Sequence, residues 1–94
     1  MATRFEWDDD KAKSNIRKHS VSFDEAQTVF LDEFSITVSD PEHSQQEERL
    51  IIVGTSAKHR LLVVSFTGRG KRIRLISARK ATRVERKEYE ENPT

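Results

Sequence analysis

Arginine side chains on one short segment of this chain have a spacing that suits phosphate binding. Arg72 and Arg74 are separated by one residue within the segment 71–79, and Arg79 and Lys80 stand at its end. If the segment is a β-strand, Arg72 and Arg74 share one face about 6–7 Å apart, close to the spacing of adjacent phosphates along a nucleic-acid strand. Arginine also stays charged and can bind two phosphate oxygens at once. The segment is therefore a candidate phosphate-binding element.

A helix predicted to follow this segment adds backbone donors to the same corner. Thr82-Arg83-Val84-Glu85 is a capping-box pattern, which marks a helix start. A helix N-terminus offers unpaired N–H groups and the positive end of the helix dipole to a phosphate. The alternative is that these arginines form ordinary ion pairs with Glu47, Glu48 or Glu85.

Proton transfer requires a second kind of residue, and histidine or a carboxylate can supply it. His19 lies at a predicted helix end, where it can act as a base or only bind the last helix carbonyls. His43 and His59 lie in predicted loops and are expected to be exposed. Glu48 opens a predicted strand, where a carboxylate could act as a base or form a salt bridge. No histidines have metal-ligand spacing, so the sequence predicts neither a metal site nor a cofactor.

Charge is divided unevenly along the chain. Residues 49–84 hold ten lysines and arginines and no aspartate or glutamate. Residues 1–50 carry a net charge of −6, and residues 51–94 a net charge of +7. A stretch without acids attracts polyanions, and nucleic acid is the first such partner to consider. The alternative is a solvated basic surface that the acidic half balances in space.

The composition limits the class of protein. Ninety-four residues predict a single domain spanning 1–94. The absence of cysteine agrees with a reducing, cytoplasmic location. The charged N-terminus does not resemble a signal peptide, and no apolar run approaches the ~18 residues of a membrane-spanning helix.

Apolar periodicity and helix caps predict an α+β fold. The elements are in the order β-α-α-β-β-β-β-α, with helices packed on one antiparallel sheet. Their approximate ranges are strand 4–7, helix 8–18, helix 22–31, strands 34–38, 50–53, 61–66 and 71–77, and helix 82–91. The strand 61–66 is the most apolar and is predicted to be central. Asn92-Pro93 is predicted to end the last helix.

The sequence also makes three local predictions, for Ser20, for the two faces of the strand 71–79, and for Trp7. Ser20 lies where many helices place a left-handed glycine, so we expect a strained serine there. Strict alternation along the strand 71–79 places Ser77 with Ile73 and Leu75 on one face, and Ala78 with Arg72, Arg74 and Ile76 on the other. Trp7, the single tryptophan, either stacks on a nucleic-acid base or covers the core.

These segments together resemble the BrnT family of toxins. The most specific blocks are Lys18-His19-Ser20-Val21-Ser22-Phe23 and Ser77-Ala78-Arg79-Lys80-Ala81-Thr82, and the resemblance extends over about residues 5–90 in one register. Further matching residues are Phe5-Glu6-Trp7-Asp8, Asn15, Asp24-Glu25-Ala26, Val29-Phe30, Glu47-Glu48-Arg49, Gly54-Thr55-Ser56, Arg60-Leu61-Leu62-Val63-Val64, Ile73-Arg74-Leu75-Ile76, Glu85-Arg86 and Tyr89. Ser20 departs from the family, which usually has glycine there.

The resemblance implies the toxin of a prokaryotic type II toxin–antitoxin system. The family is similar in fold to RelE-type ribonucleases, and its members cleave RNA and arrest growth. The implied partner is a BrnA-type antitoxin with a ribbon-helix-helix DNA-binding domain. The implied complex contains two copies of each chain and represses its own promoter. Independently of the resemblance, the apolar fraction of 34% is low for a globular chain, so we expect an obligate partner or self-association of the toxin to supply further burial.

The resulting hypothesis is a metal-independent endoribonuclease in which the 2′-hydroxyl of RNA attacks the adjacent phosphate. Arg74 and Arg79 are assigned to the phosphate and the transition state, and His19 or Glu48 takes the proton. Substrate-binding residues are Arg60, Lys80, Lys18, Arg72 and Trp7. Two alternatives use the same basic face, namely a non-catalytic nucleic-acid binder and a scaffold for an acidic partner.

Overall fold

The computed structural model describes residues 4–40, 42 and 48–91. Within these residues the chain forms an α+β domain with five strands, three α-helices and one 3-10 helix. The elements are β1 (Arg4–Glu6), α1 (Asp9–His19), α2 (Phe23–Gln27), the 3-10 helix (Thr28–Leu31), β2 (Ile36–Ser39), β3 (Leu50–Thr55), β4 (Leu61–Arg69), β5 (Arg72–Lys80) and α3 (Arg83–Glu91). The predicted Asn92-Pro93 helix stop and His43 lie outside the described residues.

The five strands form one mixed sheet in the order β1-β5-β4-β3-β2. The pairs β2–β3, β3–β4 and β4–β5 are antiparallel. In contrast, β1 is parallel to β5, and the paired positions run from Arg4 opposite Arg72 to Glu6 opposite Arg74. The prediction of an antiparallel sheet is therefore wrong at this edge. Parallel pairing needs a long connection, and residues 7–71, about two-thirds of the chain, lie between these two strands. Apolar alternation contains no information on strand direction, so the sequence pattern did not reveal it.

The strand β4 lies in the middle of the sheet, as its apolar run predicts. Leu61, Leu62, Val63 and Val64 are all buried. The side chains of α1, α2 and the 3-10 helix pack on one face, which we call the core face. Its buried cluster contains Val21, Phe23, Ala26, Val29, Ile52, Leu62, Val64, Phe66, Leu75 and Ala78. The opposite side, which we call the open face, is covered in part by α3.

A β-bulge in β5 changes which side chains share a face. Ser65 of β4 lies opposite Ser77, but the next residue, Phe66, lies opposite Leu75, so Ile76 is an extra residue. As a result Ala78 lies in the same buried cluster as Leu75. The predicted faces of Ser77 and Ala78 are therefore wrong, because strict alternation does not continue through a bulge.

The helix α1 is fixed to β5 by a side-chain amide. Asn15 is buried, and its Nδ2 atom donates to the carbonyl oxygens of Val21 and Ala78, both at 2.8 Å. Its Oδ1 atom accepts from the Ala78 N–H at 3.0 Å. Because β1 pairs with β5 only between Arg72 and Arg74, the amide satisfies backbone groups that β1 does not reach.

The start of α2 contains half of a capping box. The Ser22 hydroxyl accepts from the Glu25 N–H at 3.0 Å. The Glu25 carboxylate does not return to the cap and is buried against the Arg60 guanidinium and the Ser56 hydroxyl. Hydrogen bonds from Arg60 lower the pKa of Glu25 despite its burial. This ion pair joins α2 to the turn between β3 and β4.

The helix α3 has a complete capping box and no buried residue. Thr82 and Glu85 exchange hydrogen bonds of 2.8 and 3.2 Å between side chain and backbone. Further along, the Tyr89 hydroxyl donates to the Asp32 carboxylate, which also accepts from the Thr55 N–H at 2.7 Å. Polar contacts near both ends therefore hold α3 on the sheet, and its own apolar burial contributes little.

Within the described part of the chain, no helix has the length and apolar character to cross a membrane.

Ser20 adopts the left-handed conformation that its position predicts, with φ 59° and ψ 32°. We expect Ser20→Gly to raise the free energy of unfolding by about 1 kcal/mol, because a residue with a Cβ atom is disfavoured there. Denaturant titration measures the change. The matched control is Ser14→Gly within α1, which is expected to destabilise the protein by about 0.5 kcal/mol. A Ser20→Gly protein no more stable than the parent would contradict the strain.

Candidate functional site

The polar side chains of β5 lie on the open face of the sheet. Arg74 lies opposite Thr67, Ser77 opposite Ser65, and Arg79 opposite Val63. These partners alternate with the core residues of β4, and directly opposed residues share a face. The bulge thus keeps Arg74 and Arg79 on one side of the sheet, five residues apart. At the usual rise per residue this separation is roughly 15 Å, so the two side chains flank a stretch of β5.

The first pair of arginines binds a carboxylate from the neighbouring strand. Glu6 of β1 accepts from Arg74 at 3.2 Å and from Arg72 at 3.3 Å. The hydrogen bond from Arg74 lowers the pKa of Glu6, and Arg72 adds to the effect. The predicted pair of phosphate-spaced arginines is therefore present, but one glutamate occupies both of them.

The arginine at the end of β5 binds a carboxylate from α3. Nη1 and Nη2 of Arg79 donate to the two oxygens of Glu85, both at 2.8 Å. These bonds lower the pKa of Glu85 from 4.5 to about 2. The backbone N–H of Thr82, at the start of the helix, also donates to the Glu85 carboxylate at 2.8 Å. The predicted phosphate-binding corner is thus occupied by a residue of the chain itself.

The other predicted substrate-binding residues are distributed over the molecule. Arg60 binds Glu25, and its Nη2 also donates to the Ser20 carbonyl at 3.0 Å. Lys80 is exposed at the end of β5. Trp7 packs edge-on against Phe23 with ring centroids 5.8 Å apart, which is the core alternative for this residue. The structure therefore does not bring these three side chains together.

Lys18 and His19 meet β5 in a groove of about 280 Å³ between α1 and that strand. The lining residues are Lys11, Ser14, Asn15, Lys18, His19, Arg49, Ile76 and Ser77. None of these described lining residues is an aspartate or glutamate. Within the described part of the chain, neither Lys11 nor Lys18 forms a salt bridge. Because its charged lining residues are lysines and an arginine, we call it the basic groove. Ser77, which also lines it, lies between Arg74 and Arg79 along β5.

Sequence reasoning missed Lys11, Arg49 and Ser77 as members of this site. Lys11 and Lys18 are seven residues apart, which places them on the same side of a helix. That signal was available in the sequence. The position of Ser77 depends on the bulge at Ile76, and no comparable signal for the bulge exists. Arg49 immediately precedes β3, and its side chain enters the groove from across the sheet.

Glu48, the second predicted base, lies at the opposite side of the sheet. Its carboxylate accepts from the Ser39 hydroxyl at 3.5 Å, and Ser39 belongs to β2. The strands β2 and β5 are separated by two others, a distance of about 14 Å at the usual strand spacing. Of the two candidates, only His19 lines the basic groove. A search of the described residues finds no cluster of three histidine, cysteine or acidic side chains that could hold a metal ion.

Residues 7–85 match the family model for the ribonuclease toxin BrnT of type II toxin–antitoxin systems. The chain belongs to the BrnT family. The matched region contains α1, the whole basic groove and most of the sheet, and it ends in the first turn of α3. Membership makes the protein a toxin of a type II system, which implies an antitoxin partner.

A solved structure shares this fold. The crystal structure of the ribonuclease toxin BrnT from Brucella abortus superposes with a TM-score of 0.68, covering 87% of this chain and 100% of that chain. The two sequences are 21% identical, so this likeness concerns the fold alone. No curated protein sequence matches the chain significantly.

The Arg79–Glu85 pair makes the stability of the domain sensitive to acid. Because folding lowers the pKa of Glu85 from 4.5 to about 2, the pair stabilises the protein above pH 4.5 and loses its effect as the pH falls towards 2. Both side chains are partly exposed, so we expect only about 1 kcal/mol. Glu85→Gln retains a capping side chain but removes the charge.

Denaturant titrations between pH 2 and 7 test this expectation. The stability difference between the parent and Glu85→Gln should be largest near pH 7 and vanish near pH 2. Glu88→Gln is the matched control on the same helix, because the described residues give Glu88 no salt bridge. A difference for Glu85→Gln that does not depend on pH would show that the ion pair is not its cause.

Proposed function

We propose that this BrnT-family toxin is a metal-independent endoribonuclease that binds RNA in the basic groove. One observation carries the proposal: Lys11, Lys18, His19 and Arg49 converge on a groove that no described acidic residue lines. Such a groove attracts a phosphate backbone, since its described lining residues are basic or uncharged. The same groove contains a histidine, which is the usual side chain for proton transfer near neutral pH.

The proposed reaction is attack of the ribose 2′-hydroxyl on the adjacent phosphate. His19 takes the proton of the 2′-hydroxyl, the 2′-oxygen bonds to phosphorus as the P–O5′ bond breaks, and the leaving 5′-oxygen takes a proton from water. The cleaved strands then carry a 2′,3′-cyclic phosphate and a 5′-hydroxyl. Lys18 and Lys11 hold the phosphate and stabilise the negative charge that develops on it. Glu48 is the weaker candidate for the base, because its carboxylate lies near β2 and away from the groove.

Arg74 and Arg79 are proposed to bind the phosphates on either side of the scissile one. They lie on either side of Ser77 along β5, so an RNA strand crossing the groove would approach both. Each arginine would exchange its carboxylate, Glu6 or Glu85, for a phosphate. These pairs are partly exposed, with Arg79 41% accessible, and such pairs contribute little free energy. Exchanging the carboxylate for a phosphate therefore costs little free energy.

The proposed biological setting follows from the family. We propose a BrnA-type antitoxin with a ribbon-helix-helix domain, a complex with two copies of each chain, and repression of the shared promoter in the cytoplasm. The α+β architecture is compatible with a RelE-like ribonuclease fold. The blocks Lys18–Phe23 and Ser77–Thr82, which resemble the family, support this setting.

Incubation of the purified protein with total RNA tests the activity directly. We expect cleavage that is unchanged by a chelator and leaves cyclic phosphate ends. Intact RNA recovered from a tight, salt-sensitive complex would indicate a non-catalytic nucleic-acid binder. Negligible RNA affinity together with harmless expression would indicate a partner scaffold. Either of these two results would overturn the proposal.

Replacing the proposed base tests its role. His19→Asn is expected to lower the cleavage rate by about 100-fold or more, because a positioned acid or base typically contributes at least this factor. His59→Asn is the matched control, since His59 lies in the turn between β3 and β4, outside the groove, with φ 64°. Asparagine tolerates this left-handed conformation. Equal rates for the two variants would exclude His19 as the base.

Removing the flanking arginines tests their assignment. The double variant Arg74→Ala with Arg79→Ala is expected to weaken RNA binding and to lower the slope of log affinity against log salt by about 2. Growth arrest on expression should weaken in parallel. The matched double variant Glu6→Gln with Glu85→Gln should instead bind RNA more tightly, because it removes the competing carboxylates. A soluble, folded and fully toxic double-alanine protein would contradict the assignment.

A further inference from the structure

We propose that the outer edge of β2 is the docking site for an extended, basic segment of the antitoxin. β2 is the last strand in the sheet order, and within the described residues it pairs only with β3. Its outer N–H and C=O groups therefore form a template for another strand. Proteins usually blunt such an edge with lysine, proline or a bulge, and Ile36–Ser39 contains none of these residues or irregularities.

Apolar side chains accompany this open edge. Phe34 precedes β2 and is 60% exposed, and Val38 within it is 51% exposed. Ile36 and Val38 lie opposite Val53 and Ile51 and share their face. Together these four residues line a groove of about 220 Å³ beneath α3. An added strand would thus find backbone partners along the edge and an apolar pocket for its inward side chains.

The charge around β2 indicates the chemistry of the occupant. Residues 19–48 contain eight aspartates and glutamates and no lysine or arginine, and β2 lies in the middle of this stretch. Glu25 is bound to Arg60, but Glu48 contacts Ser39 of β2, and Glu33 and Asp40 lie within three residues of the strand. In the groove Arg79 is paired with Glu85, and Glu88 of α3 adds a further carboxylate. A second copy of this edge would bring the same acidic surroundings face to face, which is unfavourable. A partner strand with basic residues beside its apolar ones is complementary.

This arrangement fits recognition by strand addition. In that mode the main chain supplies affinity, and pockets for alternate side chains supply specificity. The expected antitoxin segment alternates apolar residues, which enter the groove beside Ile36 and Val38, with basic residues that face the acidic rim. Acidic surroundings would also accelerate the encounter with a basic segment at low salt.

The lining of this surface shares no residue with that of the basic groove, which lies at β5 and α1. It does include Arg79, which we propose binds a flanking phosphate, whereas Val38 has no role in the proposed RNA site. The inference rests on the proposed function only for the existence of an antitoxin. A substitution at Val38 touches the β2 edge and leaves Arg79 and the basic groove unchanged, so an experiment at this position separates loss of antitoxin binding from loss of cleavage.

The test compares Val38→Lys with Val84→Lys. Val84 is an equally suitable valine, 66% exposed on α3, and it does not line the groove. The probe is the cognate antitoxin, identified as the protein whose co-expression prevents growth arrest, and purified. We expect Val38→Lys to weaken its binding at least tenfold, Val84→Lys to leave it unchanged, and both variants to retain RNA cleavage. Circular dichroism confirms that each variant is folded.

Hydrogen exchange supplies a second readout that does not depend on a substitution. On binding of the same probe, amides within Ile36–Ser39 should gain protection, whereas those of α1 should not. Wild-type affinity of Val38→Lys, or unchanged exchange in β2, would overturn the proposal. So would a free toxin that sediments as a dimer and becomes a monomer on Val38→Lys substitution without a change in probe affinity, since the occupant would then be a second copy.

Discussion

The side-chain amide of Asn15 binds backbone groups of β5 that have no partner in β1. β1 covers only the first three residues of β5, so the later residues of β5 face α1 instead of a strand. Asn15 pairs with both backbone groups of Ala78 and with the carbonyl of Val21. Buried polar groups without such partners would cost about 1–3 kcal/mol each. The same three bonds set the position of Lys18 and His19 beside Ser77, so the basic groove depends on them.

Much of the fold could be predicted because its signals are local. The caps at Ser22 and Thr82, the left-handed Ser20 and the central position of β4 all follow from neighbouring residues or from the apolar content of one segment. The parallel pairing of β1 and the bulge at Ile76 could not be predicted, since both depend on contacts between distant segments. One extra residue in β5 was enough to reverse the faces of Ser77 and Ala78.

The candidate site was predictable in part for a similar reason. The basic character of the second half and the participation of Lys18 and His19 were evident from residue types. The partners of Arg74 and Arg60 were not, because Glu6 and Glu25 are 68 and 35 positions away from them along the chain. Glu85, the partner of Arg79, was among the alternatives that the sequence offered. Charge counted over windows of sequence predicts a field, but individual ion pairs require the tertiary structure. Carboxylates from the acidic first half of the chain therefore bind Arg74 and Arg60, two residues that the sequence assigned to the RNA substrate.

The helix α3 has a thermodynamic consequence of its own. It buries no residue and is attached by Glu85 near its start and Tyr89 near its end. Its detachment would not require the core to open, so we assign it to the part of the native ensemble that unfolds locally at low free energy. Ile51, Val53 and Val63 then alternate between a covered and a bare state while the remainder of the sheet stays folded. The domain in effect possesses two stabilities, one for its core and a smaller one for its last nine helical residues.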